Sequence, residues 1–355
     1  MQDEIAAEVV RALVPRLRPA EHETLVRGGT TDAAAYDLYL LGREKWRTRE
    51  TPALIEAIDD FRAAIARDSS FALAWSGLAD AIDALAWRET PYAYLVPEAR
   101  NAALRALAID PELAEAWVSA GILAAEFDLD REAGEMAVRR AIRLRPSYAF
   151  AQHQLSGILR NTGRVEESGP HIEKAVELDP LSPMVHETYA LHLLVIGDAA
   201  GARAQQEIAA DLFPGSFNHV GLVWYAKRLG LEPGEAATVA VAFARARGVA
   251  NPVEWGLVGS AIVDGLRRED ALAIVGASDE LEEAEEYQLR LALEDYEVFL
   301  AWLEEEWKAG AADLFRLGVL PQYDPVRSDP RFIAIVRDLG SPNGYDPVTK
   351  TVTWP

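Results

Sequence analysis

Apolar positions fall three and four residues apart along much of the chain, as at Ala57, Phe61 and Ala64 in AIDDFRAAIARDSS, the spacing that keeps one face of a helix apolar. Joints interrupt this pattern. In AIDPELAEAW an Asp-Pro pair precedes Trp117, and proline lacks the amide proton that a helix interior needs, so Pro111 ends one helix or begins the next. The next joints are Pro146 in IRLRPSYA, Pro180 in VELDPLSP and Pro214 in ADLFPGSF, at intervals of 35, 34 and 34 residues. Ala141, Ala175 and Ala209 each stand five residues before a joint, where one helical pair must approach the next closely. Trp117, Ala120 and Gly121, like Trp75, Leu78 and Ala79, fit the large and then tight positions of a first helix.

Self-similarity at 34 residues resembles the tetratricopeptide repeat, a helix-turn-helix unit that buries its apolar face only by stacking on its neighbours. Upstream, LYLLGREKW and the Phe61 segment form another unit, with Gly42 on its first helix and Ser69 where the proline would stand. Downstream, Ala236 and Ala240 keep the phase, and Trp255, Gly259 and Ala271 mark one further unit. The expected fold is an all-α superhelix, a tetratricopeptide solenoid of about seven units with helical terminal caps. The expected divisions are a connector helix at 1–34, the array at 35–276, a helical cap at 277–340 and an irregular tail at 341–355. Within the cap, DELEEAEEYQLRLALEDYEVFLAWLEEEW reads as one long amphipathic helix or two short ones.

Half of the 355 residues are apolar and 26% are charged, which excludes wholesale disorder. A formal net charge of -22 repels nucleic-acid backbone, so no direct nucleic-acid binding is expected. With no cysteine, disulfides, thiolate nucleophiles and Cys-ligated metal centres are excluded. The start, MQDEIAAEVVRALVPRL, carries acids in place of a basic region and an apolar stretch, and no run approaches the length of a membrane span. Neither membrane insertion nor an export signal is expected. The expected location is the cytoplasm, with the periplasm open if a membrane span lies upstream.

Catalytic motifs are weak. HETYALH sets His186 and His192 six apart, about 600° around a helix, whereas a zinc-protease helix needs four. His186 also occupies the slot that Trp117 fills two units earlier. GLEPGEAA and GDAAGA lack the lysine and the preceding strand of a phosphate-binding loop. Asp80 and Asp83 share a helix face and read first as a solvated pair. No cofactor and no metal are expected, and the chain reads as non-catalytic; a helical-solenoid enzyme using Asp83, Glu126 and His153 as acid-base groups is the reading from another class.

First helices line the concave side of such an array, so ligand-facing residues recur at positions 2, 5, 9, 12 and 13 of each unit. They are Tyr39, Arg43, Trp46 and Arg47, then Asp80 and Asp83, then Glu126. Further along come His153, Arg160 and Asn161, then Glu187, then Tyr225 and Arg228. Aromatic groups and forked guanidinium bonds suit a protein or peptide segment, with a small effector as the other class of ligand. The second unit carries about eight extra residues in AWRETPYAYL, whose Trp87, Tyr92 and Tyr94 either reach into the groove or fold back over their own unit. Self-association through an uncapped first unit stays open.

Three stretches, QDEIAAEVVRAL, AAAYDLYLLGR and DPVRSDPRF, resemble the C-terminal repeat segments that follow a TolB-like domain in bacterial multidomain regulators. There the output module is a CadC-like winged helix or a nucleotide cyclase. The resemblance implies the sensing half of a signalling or transcription regulator, with a free-standing scaffold as the runner-up.

Overall fold

A computed structural model describes residues 29–88, 90–212, 221–281, 283–309 and 317–354. Most of the expected connector helix, residues 1–28, lies outside the described residues, as does the Pro214 joint. The chain divides into two compact units, residues 1–86 with 94–120, and residues 87–93 with 121–355.

The described part of unit 1 opens with α1 (Ala33–Thr48), where Asp32 caps the helix by accepting from the amides of Ala34 and Ala35. Second is α2 (Thr51–Arg67), with Pro52 in its first turn, where a missing N–H costs nothing, and a buried stripe through Leu54, Ala57, Ile58, Phe61 and Ala64. Then α3 (Ala72–Arg88), a 3-10 turn at Thr90–Leu95 and α4 (Val96–Ile109) follow, and α5 (Ala114–Glu126) runs across the boundary into unit 2. A Cβ on Gly42 or Gly77 would lie 2.8 or 2.5 Å from the Phe61 ring, so the two glycines admit the phenyl group between first helices.

Unit 2 continues with α6 (Arg131–Leu144), α7 (Ala149–Asn161), α8 (Val165–Leu178), α9 (Pro183–Val195) and α10 (Ala199–Leu212). First helices begin at Ala114, Ala149 and Pro183 and second helices at Arg131, Val165 and Ala199, so the joint interval is the interval of the helices. Ala141, Ala175 and Ala209 are fully buried. Slot residues close three of the joints: Trp75 Nε1 donates to the Ser69 carbonyl at 3.0 Å and Trp117 Nε1 to that of Pro111 at 2.9 Å. His186 Nε2 lies 2.9 Å from the Pro180 carbonyl and does the same work in the fifth pair. That is why the chain breaks its helix at Asp110-Pro111. The proline frees carbonyls and the aromatic six residues on satisfies one of them.

Beyond a helical turn at residues 221–224 come α11 (Pro233–Arg247), α12 (Trp255–Asp264) and α13 (Arg268–Gly276). At the crossing of α11 and α12 a Cβ on Gly259 would stand 2.1 Å from the Ala236 carbonyl oxygen. We expect Gly259→Ala to lower unfolding free energy by about 2 kcal/mol, because backbone rather than a mobile side chain must yield. A urea melt unchanged by this substitution would show that the crossing relaxes freely.

The cap segment forms two helices, α14 (Glu283–Ala292) and α15 (Tyr296–Ala309), because the chain turns at Glu294 with a left-handed φ of 64°. After a 3-10 turn at Pro321–Val326 comes α16 (Pro330–Asp338). Phe299, Leu303, Phe332 and Ile335 share one buried cluster with Val165 of α8 and Val195 of α9, so the cap folds back over the fourth and fifth pairs. Arg327, in the RSDPRF motif, donates to the carbonyls of Gly318, Leu320 and Asn343 and so ties three turns together.

The tail is ordered rather than irregular. β1 (Gly344–Asp346) pairs antiparallel with β2 (Thr351–Thr353), and Asp346 closes the turn through the Val348 amide and the Thr349 hydroxyl. Tyr345 Oη and Lys350 Nζ both donate to Glu166, at 2.9 and 2.8 Å, and Pro347 reaches the turn at Gly197. Trp354 is 61% exposed. The described fold is all-α apart from this hairpin, an array of helix-turn-helix units closed by a helical cap.

Candidate functional site

Unit 1 joins its first helices through one carboxylate. Asp80 on α3 is 3% exposed, and its Oδ2 lies 3.1 Å from Arg43 Nη1 on α1. Its Oδ1 accepts from Ser119 Oγ on α5 at 2.6 Å, and its carbonyl accepts from Trp46 Nε1 at 3.0 Å. Burial pushes the Asp80 carboxyl up from its ordinary range, while Arg43 and Ser119 draw it back. Arg43 and Arg49 also lie against the Trp46 ring, 4.1 and 3.9 Å from its centre. The expected solvated pair is therefore divided: Asp80 is a buried tie, and Asp83 is half-buried on the next turn. Arg47 is exposed and Tyr39 half-buried.

Unit 2 repeats the device with other chemistry. His153 Nε2 on α7 lies 2.7 Å from Thr188 Oγ1 on α9, and Phe150 stacks on the imidazole. Arg160 reaches the Thr188 carbonyl and the Asn161 amide oxygen. Ser156, Ser168 and His192 form a buried chain from α7 through α8 to α9, with spacings of 2.8 and 3.3 Å. Trp46, Asp80, His153, Arg160, Asn161 and Tyr225 are all buried where the spacing predicts an open face. For Trp46, Asp80, His153 and Arg160 the physical reason is shared: a polar group between two first helices finds its partner on the neighbouring helix, and leaving it unmade would cost about 1–3 kcal/mol. Asn161 instead accepts from Arg160 on its own helix. Glu126 and Glu187 are half-buried. In the insertion, Trp87 and Tyr92 are half-buried and Tyr94 is 73% exposed.

His186 and His192 are each held by organic partners, Pro180 and Gln205 for the first and Ser168 for the second. Among the described residues no group of three or more potential ligands is placed to hold a metal. No described helix is long and apolar enough to cross a membrane.

Tyr225 and Arg228 meet the cap at a cavity of about 330 Å³ in unit 2. Four stretches build it: residues 224–228 ahead of the turn at Gly230, Ile262 on α12, the C-terminal half of α14 with Glu294 and Tyr296, and the 3-10 turn carrying Gln322 and Pro325. Arg228, about one-third exposed, has one loose ion contact among the described residues, 3.4 Å to Asp324. Lys227 at the rim lies 3.4 Å from Glu294, which Arg268 engages more closely at 2.5 Å. Trp224 Nε1 and Gln322 Oε1 are buried without a hydrogen-bond partner among the described residues. Burial raises the Tyr296 hydroxyl above its ordinary pKa, and the Glu294 carboxylate adds to that.

The sequence reading reaches Tyr225 and Arg228 by repeat phase but misses Trp224, Tyr296 and Gln322. The last two come from the cap, whose return over the array leaves no local period. A second cavity of about 450 Å³ lies among Arg131, Glu135, Arg139 and Arg164. Its guanidiniums are already engaged: Arg139 and Arg164 hold Glu135, and Arg131 holds the Gly340 carbonyl and Ser341.

No protein-family profile matches the chain, and no curated protein matches it. Among solved structures it is similar to TTC0263, a thermophilic TPR protein of Thermus thermophilus, at 19% identity, covering 56% of this chain and 100% of that one with a TM-score of 0.45. It is similar also to PilW, a widely conserved type IV pilus biogenesis factor, at 14% identity over 69% of this chain and 100% of that one, TM-score 0.42. The corresponding figures for Pseudomonas aeruginosa PilF are 17%, 71% and 96%, with a TM-score of 0.37.

Proposed function

We propose that the chain is a non-catalytic interaction module, the cytoplasmic regulatory part of a bacterial signalling or transcription regulator, which takes a protein segment on the first-helix face of unit 1. Residues 1–34 serve as its connector to an output domain. One observation carries this reading. The buried Asp80 tie holds α1, α3 and α5 in fixed register, so the side chains beside it are presented by a preorganised surface. Preorganisation reduces the ordering cost of binding. The exposed Arg47 offers a forked cation to an extended chain, and Tyr39 and Asp83 are half-buried on the same two first helices, α1 and α3.

The test is cross-linking capture from the source organism's lysate, comparing the wild type with Arg47→Glu combined with Asp83→Arg. Arg47 is exposed and Asp83 half-buried, so a urea melt of the variant establishes that it folds before capture is compared. We expect one dominant partner in the wild type and a loss of about tenfold or more in the variant, the scale of a charge reversal at a recognition contact. Equal capture by both proteins, or no specific partner, rejects the reading. Sequencing upstream of the Met1 codon separates a regulator, whose frame continues into an output domain, from a free-standing scaffold.

A further inference from the structure

The cavity between the 224–228 segment and the cap has the features of a ligand site rather than a packing defect. Defects in a core are apolar and dry. This one is walled by Trp224, Tyr225 and Tyr296 on an apolar floor that includes Ile262 and Leu291, and it carries an under-used guanidinium. Arg228 has five N–H donors and, among the described residues, one loose ion contact. The buried indole N–H of Trp224 and the buried end of the Gln322 amide add two hydrogen-bonding groups without partners among the described residues. Both atoms are sealed from the cavity as the side chains stand. An unmet buried donor and acceptor are costly, so a ligand that draws the two side chains toward it would give each a partner.

We propose that this cavity binds a small aromatic carboxylic acid, with the ring between the Tyr225, Tyr296 and Trp224 side chains and the carboxylate on Arg228. At about 330 Å³ it lies near the lower end of small-ligand pockets, which suits one or two rings rather than a nucleotide or a peptide. The carboxylate takes the forked guanidinium face that Asp324 engages only at its edge. Once the indole turns toward the cavity, the Trp224 N–H donates to the acid's second oxygen. The Gln322 side-chain amide, turned the same way, meets a ring N–H or hydroxyl. Such a ligand would be the effector of the regulator proposed above. The site shares no residue with the first-helix face, and binding is measured with no partner present, so either idea can fail alone.

Isothermal titration of the full chain with phenylacetate and with indole-3-acetate tests it, with phenylacetamide and inorganic phosphate as comparison ligands. We expect saturable binding of at least one acid, at least tenfold weaker binding of the neutral amide, and none of phosphate over the same range. Arg228→Gln should weaken the acid about tenfold or more while leaving the melting temperature unchanged, since among the described residues Arg228 carries one loose ion contact. Trp224→Phe, which keeps a ring and removes the N–H, should weaken it several-fold, and Ala292→Trp should block it by filling the cavity. Absence of saturable binding by both acids overturns the proposal. Equal binding of acid and amide removes the carboxylate from it, and phosphate binding as tightly as the acids would make this a general anion site; either result overturns the class assigned. Undiminished affinity in Arg228→Gln places the ligand elsewhere and overturns the site.

Discussion

Replacing Phe61 with alanine should lower the stability of unit 1 by about 3–5 kcal/mol, the range for emptying a phenylalanine site in a packed core. The ring is fully buried, lies against the Tyr39 ring at 5.9 Å between centroids, and fills the space left by Gly42 and Gly77. Rigid first helices on either side leave little room for collapse, which places the cost toward the upper end. Chemical denaturation followed by circular dichroism measures it; a loss under about 1 kcal/mol would mean that α1 and α3 close over the void. The pair Phe61 and Gly77 also offers a coupling test. Gly77→Ala alone meets the ring at 2.5 Å and should destabilise, whereas in the Phe61→Ala background the same methyl enters the cavity. The double substitution should therefore cost clearly less than the sum of the two single ones.

The glycine, alanine and tryptophan positions that make this packing were legible because repeat geometry is local. A proline joint, a slot aromatic six residues later and a small residue five residues before the joint are enforced within one helical pair, so each leaves its mark at a fixed interval. His186 shows how far that logic extends: its chemistry invites a metal reading, yet its position in the repeat points to the joint, and its ring meets the Pro180 carbonyl. Other features were invisible for the opposite reason. Whether Arg160 or Asp80 faces solvent depends on the neighbouring first helix offering a partner about 28 to 39 residues away, as Thr188 and Ser119 do. The cavity at Arg228 requires Tyr296 and Gln322 from a cap that returns over the array, and no spacing within the cap announces where it lands. The hairpin at the C-terminal end follows the same rule. Its strands are three residues each, too short for an alternating pattern to stand out, and it is fastened from afar by Glu166. Pro170, inside α8, passes the reverse way: a residue that marks joints elsewhere is here carried within a helix.

Acid should loosen unit 2 through His192. The imidazole is 5% exposed, its Nδ1 lies 3.3 Å from Ser168 Oγ, and its other edge packs so closely on Gly169 that a Cβ there would stand 3.1 Å from Nε2. Burial, with the Arg160 guanidinium adding repulsion and Glu166 opposing it, pushes the His192 pKa down to about 4. An unfolded histidine titrates near 6.5. Above that pH both states are neutral and His192 has no effect on the balance. Between about 6.5 and about 4 the unfolded chain binds a proton that the native site refuses, so stability falls by about 1.4 kcal/mol per pH unit and by about 3 kcal/mol in all. Below about 4 the native site also protonates and this contribution levels off. The 57 acidic residues titrate across the same window, so the measurement must be a difference. Urea unfolding at pH 7, 5.5 and 4 is compared between the wild type and His192→Gln, which keeps a neutral hydrogen-bonding group and cannot take the proton. The variant, whatever its stability at pH 7, should lose about 3 kcal/mol less than the wild type on descending to pH 4. Parallel descents would show that the imidazole is hydrated in the native fold and that the serine chain from α7 to α9 is open to water.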